Sequence, residues 1–174
     1  MTPDDYRAAA TRLPGAVCVV AVRWRGSVHA TTVSSVASVS LDPPQLLFCA
    51  HADARVVDAL AEVGTWTISV LAADQASVAD WLASAGRPTI GQLDRVAHEE
   101  SELTDAVRVD GAAAWFDCRT AAMHLSGDHV IVVGDVLAGE AGSPLVGALV
   151  HLAGGLRAVR PDGGGSPGAH TTPL

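Results

Sequence analysis

The sequence contains no lysine and no asparagine. All 11 basic residues are therefore arginine, and 19 acidic residues outnumber them, giving a formal net charge of −8 at pH 7. That balance argues against the basic face that a nucleic acid or an anionic membrane surface requires. It leaves room for a small anion held by one or two local arginines. Without asparagine there is no N-glycosylation acceptor, and glycine and aspartate must supply the turns. Cysteine is scarce: Cys18, Cys49 and Cys118 are far apart, odd in number and form no CxxC pair. They read as small, largely buried thiols in a reducing compartment. No 18-residue uncharged apolar run is present. The segment MTPDDYRAAATRLPG carries acid where a secretory leader needs base. The expectation is a soluble, cytoplasmic protein. Several common motifs are also missing: GxGxxG after a strand, GxxxxGK[ST], HExxH and GxSxG. A dinucleotide-binding Rossmann domain and a P-loop enzyme are therefore not expected.

The chain has 174 residues, of which 49% are hydrophobic and 17% charged. This is the size and composition of one globular domain that folds without a metal or disulfide staple. Residues 4–13 read as a short helix and Ala16–Trp24 as a buried strand. A tight turn at Arg25-Gly26-Ser27 leads to Val28–Ser40, one long or bent strand. Pro43 and Pro44 should break any ladder. Gln45–Ala50 reads as a strand, residues 53–62 as a helix, Thr65–Leu71 as a strand, and 74–85 as a second helix with Asp74 as its cap. Residues 86–110 look polar and irregular. Two strands follow, Ala113–Leu125 and His129–Leu137, then a last one between Leu149 and Val159. Residues 161–174, rich in Gly, Pro, Ser and Thr, read as a disordered tail, which leaves 1–160 as the domain. Hairpins dominate over strand–helix alternation. The fold class is thus mainly β (α+β), an antiparallel barrel with flanking helices.

Three stretches carry chemistry. His29–Ser38 has small and hydroxyl side chains that let a flat polar ring lie against the backbone; it reads equally as a Thr/Ser-rich strand. Cys49–Arg55 lies between a strand and a helix. There, free N–H groups, the helix dipole and the Arg55 guanidinium can hold a phosphate. Alternatively, Asp53 caps the helix and Arg55 is solvated. Ser126-Gly127-Asp128-His129 opens an apolar strand and puts an imidazole at a strand end. His129 is there either to handle protons or to bond Asp128 within the structure. A metal site with His124 lacks any recognised spacing, so no metal is assigned.

Taken together and in this order, the phrases LPGAVCVVAV, VHATTVSSVASVSLDPPQLLFCA, WTISVLAADQASVADWLA, GDHVIVVGDV and ALVHLAGGLRAV resemble the flavin reductase-like domain family, with its FMN-binding split-barrel fold. That family includes the reductase components of two-component flavin monooxygenases. The resemblance covers roughly residues 13–159. It implies an antiparallel split β-barrel with flanking helices and a homodimer binding FMN or FAD noncovalently near the subunit interface. It also implies hydride transfer from NADH or NADPH to flavin, and delivery of reduced flavin to a partner monooxygenase. Thr31, Thr32, Val33, Ser34 and Ser35 would line the ring and ribityl chain. The run Cys49, Ala50, His51 to Arg55 would wrap the phosphate side. Asp128 would belong to the flavin pocket, and His129, of the Gly-Asp-His motif, would orient groups or handle a proton.

The sequence departs from the family pattern at three positions. Ala30 stands where glycine is usual, Ala54 where Ser or Thr is common, and Leu156 where an aromatic residue is usual. These changes keep two alternatives in view: a flavin-binding accessory or carrier protein without reductase turnover, and a flavoenzyme acting directly on an organic substrate.

Overall fold

The computed structural model describes residues 1–161. The expected tail, apart from Pro161, lies outside the described residues. Helix α1 (Pro3–Ala10) opens with a capping box in which Thr2 and Asp5 satisfy each other's backbone N–H. Strands β1 (Gly15–Ala16), β2 (Cys18–Trp24), β3 (Ser27–Val33), β4 (Val36–Leu41) and β5 (Pro44–His51) follow. Helix α2 (Arg55–Val63), β6 (Thr65–Val70) and α3 (Ala76–Ala83) come next. After them are β7 (His98–Glu100), β8 (Val107–Val109), β9 (Ala114–Ser126), β10 (His129–Ala141), β11 (Ala148–Leu152) and β12 (Gly155–Val159).

Seven strands form one antiparallel sheet in the order β3-β2-β6-β9-β10-β5-β4. Its two edge strands, β3 and β4, are consecutive in the chain. The sheet therefore curls until the two-residue joint Ser34-Ser35 ties one edge to the other. The closure at that point is covalent rather than a ladder, and one backbone bond, Cys49 N–H to Ser35 C=O at 3.0 Å, steadies it. A second sheet, β1-β11-β12, joins the first through a ring of three bonds. Val17 N–H donates to Leu149, Leu149 N–H to Leu71, and Leu71 N–H to Val17.

The run from Ala16 to Val22 is apolar throughout because β2 is covered on both faces there, and Arg23 follows where burial ends. Cys18, Val20 and Val22 point into a core with Phe48, Leu60, Trp66 and Ile68. Val17, Val19 and Ala21 point into another with Leu71, Leu82, Val107 and Leu149. Helix α2 packs Val56, Val57, Ala59 and Leu60 into the first core, and α3 packs Ala79 and Leu82 into the second.

Four expectations are corrected. Asp53 does not cap α2: the helix begins at Arg55 and its N-cap is Ala54, with no side-chain bond, so Asp53 lies one position too early and its carboxylate stands exposed, 3.8 Å from His51 Nδ1. Asp74 does not cap α3, whose N-cap is Gln75. Pro44 does not break the ladder but opens β5 at its first position, where the missing N–H costs least. The last strand is two, β11 and β12, in a hairpin.

Residues 86–110 also hold more structure than their polarity suggested. Leu93, Val96, Val107 and Val109 are buried in the second core, and β7 pairs with β8. Polar bonds make this possible. Asp117, fully buried, accepts from Ser101 Oγ at 2.7 Å and from the Arg108 guanidinium, whose Nε is 3.0 Å away. The guanidinium in turn lies 3.4 Å from the Trp115 ring centroid. A buried carboxylate is tolerable only with such partners.

Trp66 fills the centre of the first core, edge-on to Phe48 at 5.0 Å. It fits because residue 134, beside the β9–β10 bulge, is glycine. A Cβ there would meet Trp66 Cζ2 at 2.4 Å. Gly134→Ala is therefore expected to destabilise the fold by about 1–3 kcal/mol through overpacking. Urea unfolding followed by Trp fluorescence measures this, and an unchanged midpoint would show that the indole moves freely.

Candidate functional site

The joint that closes the sheet also builds a hollow. Where the chain crosses from β3 to β4, Thr31, Thr32, Val33, Ser34 and Ser35 form one wall of a cavity of about 260 Å³. The end of β5 supplies Cys49, Ala50 and His51, and His129 comes from the start of β10. Ala54, the uncapped start of α2, completes it. Gly15 of β1 backs this joint so closely that a Cβ there would lie 2.2 Å from the Ser34 carbonyl oxygen.

The wall is shared. Thr31 and Ala54 also line a hollow of about 270 Å³ with His29, Arg55, Arg87 and Gln92. Ser34, Ser35 and Cys49 also line one of about 540 Å³ with Tyr6, Arg7 and His151. Thr32, Val33 and Ser34 border a fourth, of about 380 Å³, with Asp80, His151 and Leu156. The result is a groove of connected hollows along one strand.

Nine of the residues anticipated from sequence thus line one cavity: Thr31–Ser35, Cys49, Ala50, His51 and His129. Arg55 lines the adjoining hollow instead. Asp128 lines neither and touches the site through His129, whose Nδ1 is 2.7 Å from its carboxylate. That bond, first, and the nearby imidazole charge hold Asp128 below the ordinary carboxylate range. His51 and His129 are cross-strand partners, with ring centroids 5.5 Å apart and nearly perpendicular planes.

Arg87 and Gln92 were not anticipated, because their segment carries no recognisable pattern. Gln92 Oε1 accepts the Ala30 N–H at 2.9 Å, and Arg87 Nη2 donates to the Ala30 carbonyl at 3.1 Å. These bonds show that Ala30 turns its N–H and C=O outward from β3. By the two-residue alternation of a strand, Thr32 does the same, at an edge with no ladder strand opposite. Arg87 also donates to Ser84 and Thr31, yet its Nε is buried without a partner. Burial lowers the pKa of its guanidinium below the arginine norm without neutralising it. His29, 6% exposed, has its pKa lowered by burial and then by the charge of Arg55. No carboxylate lines the hollow that holds both arginines. In a chain of net charge −8 that segregation favours an anion.

The departures noted in the sequence fall around this groove. The methyl of Ala30, 3% exposed, belongs to the second core; Ala54 offers no hydroxyl to the cavity; Leu156 packs against the second core and borders the fourth hollow. Among the described residues, no three His, Cys, Asp or Glu side chains gather as a metal site. No described helix is long and apolar enough to cross a membrane.

Comparison with known proteins now decides the family. The flavin reductase like domain matches residues 10–160. The chain belongs to that family. It is 34% identical over 146 residues to the NADH-dependent FMN reductase AsuE2 of Streptomyces nodosus subsp. asukaensis, covering 82% of this chain and 79% of that one. It is 35% identical, over 82% of this chain and 90% of the other, to the reductase component of 4-hydroxyphenylacetate 3-monooxygenase of Thermus thermophilus. It superimposes with a TM-score of 0.86 on the bacterial protein BorF, the flavin reductase component of a two-component tryptophan halogenase, at 38% identity and over 92% of this chain and 99% of BorF. The curled sheet with its covalent seam is accordingly a split barrel.

The thiols offer a test of the site's accessibility. Cys18 and Cys118 are fully buried, and burial pushes both pKa values up to about 12. Cys49 is only partly buried and faces the cavity. A disulfide reagent is expected to titrate one thiol per folded chain, slowly because burial also raises the Cys49 pKa, and three thiols in denaturant. Reaction of none or of all three in the native protein would contradict this geometry.

Proposed function

We propose that this chain is an NADH-dependent flavin reductase that transfers hydride to FMN or FAD and passes the reduced flavin to a partner monooxygenase. The observation that carries the reading is the groove along Thr31–Ser35, built at the barrel seam of a flavin reductase like domain. A flavin has a flat ring with a polar edge and a chain ending in phosphate, and the groove suits each part. The outward N–H and C=O of Thr32 suit the ring's polar edge. The arginine-lined hollow, with the orphaned Arg87 Nε and no carboxylate, suits the phosphate. The free N–H groups at the start of α2 add to the attraction.

The bound flavin supplies the redox chemistry, accepting hydride from the nicotinamide. The protein's residues bind and orient. Arg55 and Arg87 hold the phosphate, Thr31–Ser35 fix the ring against the strand, and His129 holds or moves a proton at Nε2 while Asp128 keeps Nδ1 protonated. Residues 1–160 make up the functional unit, supported by the extent of the family match. Two copies form a dimer. Val39, Leu41 and Leu137, exposed at one end of the β4–β5–β10 part of the sheet, support this by offering an apolar face. Light scattering at micromolar concentration should report twice the mass of one chain. The missing hydroxyl at Ala54 favours a second reading, a flavin carrier without turnover.

Absorbance at the nicotinamide wavelength, with free FMN or FAD as acceptor, separates the two readings. Steady NADH oxidation is expected; flavin binding without it would leave only the carrier. Arg55→Ala should weaken FMN by about 10-fold and leave riboflavin, which lacks the phosphate, nearly unchanged. Equal losses for both would assign Arg55 to packing. His129→Ala should lower kcat/KM for NADH by about 10–100-fold. Its melting temperature should hold, because His129 and Asp128 are 48% and 79% exposed at the side chain and no buried group is orphaned. Lost stability with normal turnover would remove His129 from the site.

A further inference from the structure

His29 lies outside the 260 Å³ cavity, on the wall of the adjoining hollow of about 270 Å³. It is buried, and its Nδ1 has no partner. The ring bonds the Trp24 backbone in a way that favours its charged form, so a ring N–H is the donor there. With Nδ1 unpaired, that donor is Nε2, and Nδ1 is the bare nitrogen of the neutral ring. The groups around it are cationic or neutral. Arg55 and Arg87 line the same hollow, with Gln92 and Thr89 between them and no carboxylate. The Trp24 ring stands 5.4 Å from the imidazole, and the Arg25 guanidinium 4.4 Å from the indole. The carboxylates of α2 do not answer these charges. Asp58 and Glu62 are exposed, and Glu62 is bonded to Trp24 Nε1 and Arg25.

A proton on Nδ1 would add a third positive charge beside two arginines, out of reach of water, which is costly without an anion. A phosphate dianion in the hollow reverses that balance. It offsets the Arg55 charge and gives the buried proton a partner. We propose that His29 is a third phosphate-binding group of this hollow and takes up a proton at Nδ1 when a phosphate monoester enters. The inference rests on the phosphate placement argued above and adds a coupling between flavin binding and pH. The proton comes from solvent, and no covalent bond other than N–H is made or broken. The charged ring is favoured only in the complex. Affinity therefore rises as pH falls through the pKa of His29 in the complex, and levels off below its pKa in the free protein. FMN is then held more tightly in mild acid and released more readily in base, while a flavin without the phosphate is indifferent.

Calorimetry of FMN binding at one pH, in buffers of different ionisation enthalpy, counts the protons taken up, with riboflavin as the control. Wild type should take up a fraction of a proton more with FMN than with riboflavin. The sign is diagnostic, because binding the dianion displaces any proton the phosphate still carries, with its second pKa near about 6, and so releases protons. FMN affinity should rise about 3–10-fold between about pH 8 and about pH 6.5. His29→Asn should lose the extra uptake and that rise, and bind FMN at every pH as wild type does at the alkaline end. Riboflavin affinity should not differ between the two proteins. Equal uptake with FMN and riboflavin overturns the proposal whether or not the variant folds, and gives the proton to His51 or His129 at the ring. Extra uptake that persists in His29→Asn overturns it too. FMN bound more tightly than riboflavin with no proton uptake leaves the arginines as the phosphate site and removes His29 from it. FMN bound no more tightly than riboflavin at any pH sinks the phosphate placement itself, and the coupling with it.

Discussion

The site depends on one constraint: the stretch expected as one strand must divide into β3 at one edge of the sheet and β4 at the other. Ser34 and Ser35 make that crossing, held by the Cys49 N–H on the Ser35 carbonyl. The crossing brings Thr31–Ser35 opposite the ends of β5 and β10, and so opposite His51 and His129. It also leaves backbone groups on the outer side of β3 without ladder partners, which in most sheets would be a liability. Here Gln92 and Arg87 take up those of Ala30. Closing the seam and opening the groove are therefore the same structural event. Small residues are required on both sides of it, as Gly15 shows by leaving no space for a Cβ against Ser34.

Charge is distributed to match. The chain is strongly acidic, yet the hollow beside the seam holds Arg55, Arg87 and the start of α2 and no carboxylate. The ion pair of Arg108 with Asp117 instead serves structure: it lets the polar segment between α3 and β9 cover the second core. The two arginine settings differ in solvation. Every nitrogen of Arg108 has a partner in Asp117, Ser101 or Glu99, whereas Arg87 keeps an unpartnered Nε beside a cavity. A saturated cation stabilises a fold, while an unsaturated one at a cavity is available to a ligand.

Much of this was legible in the sequence. The continuous run Ala16–Trp24 announced a strand covered on both faces, and its alternation between two cores bears that out. The hydroxyl-rich run after His29 and the histidine of the Gly-Asp-His turn are far apart in sequence, yet both line the cavity at the seam. What could not be read were matters of partner choice. Asp53 looked like a helix cap, but α2 begins one residue later, with Ala54 in the cap position. Arg87 and Gln92 sit in a segment whose polarity concealed its burial, because the buried polar groups there bond to β3 and β9 rather than to neighbours in sequence. Pro44 misled in the opposite way: a proline at a strand's first position breaks nothing.

The central claim is that the groove at the barrel seam is where flavin binds. A crystal structure of the chain grown with FMN tests it most directly. The account predicts the ring against Thr31–Ser35, with the phosphate within hydrogen-bond reach of Arg55 or Arg87. Flavin bound elsewhere on the barrel, or with its phosphate turned away from both arginines, would contradict it.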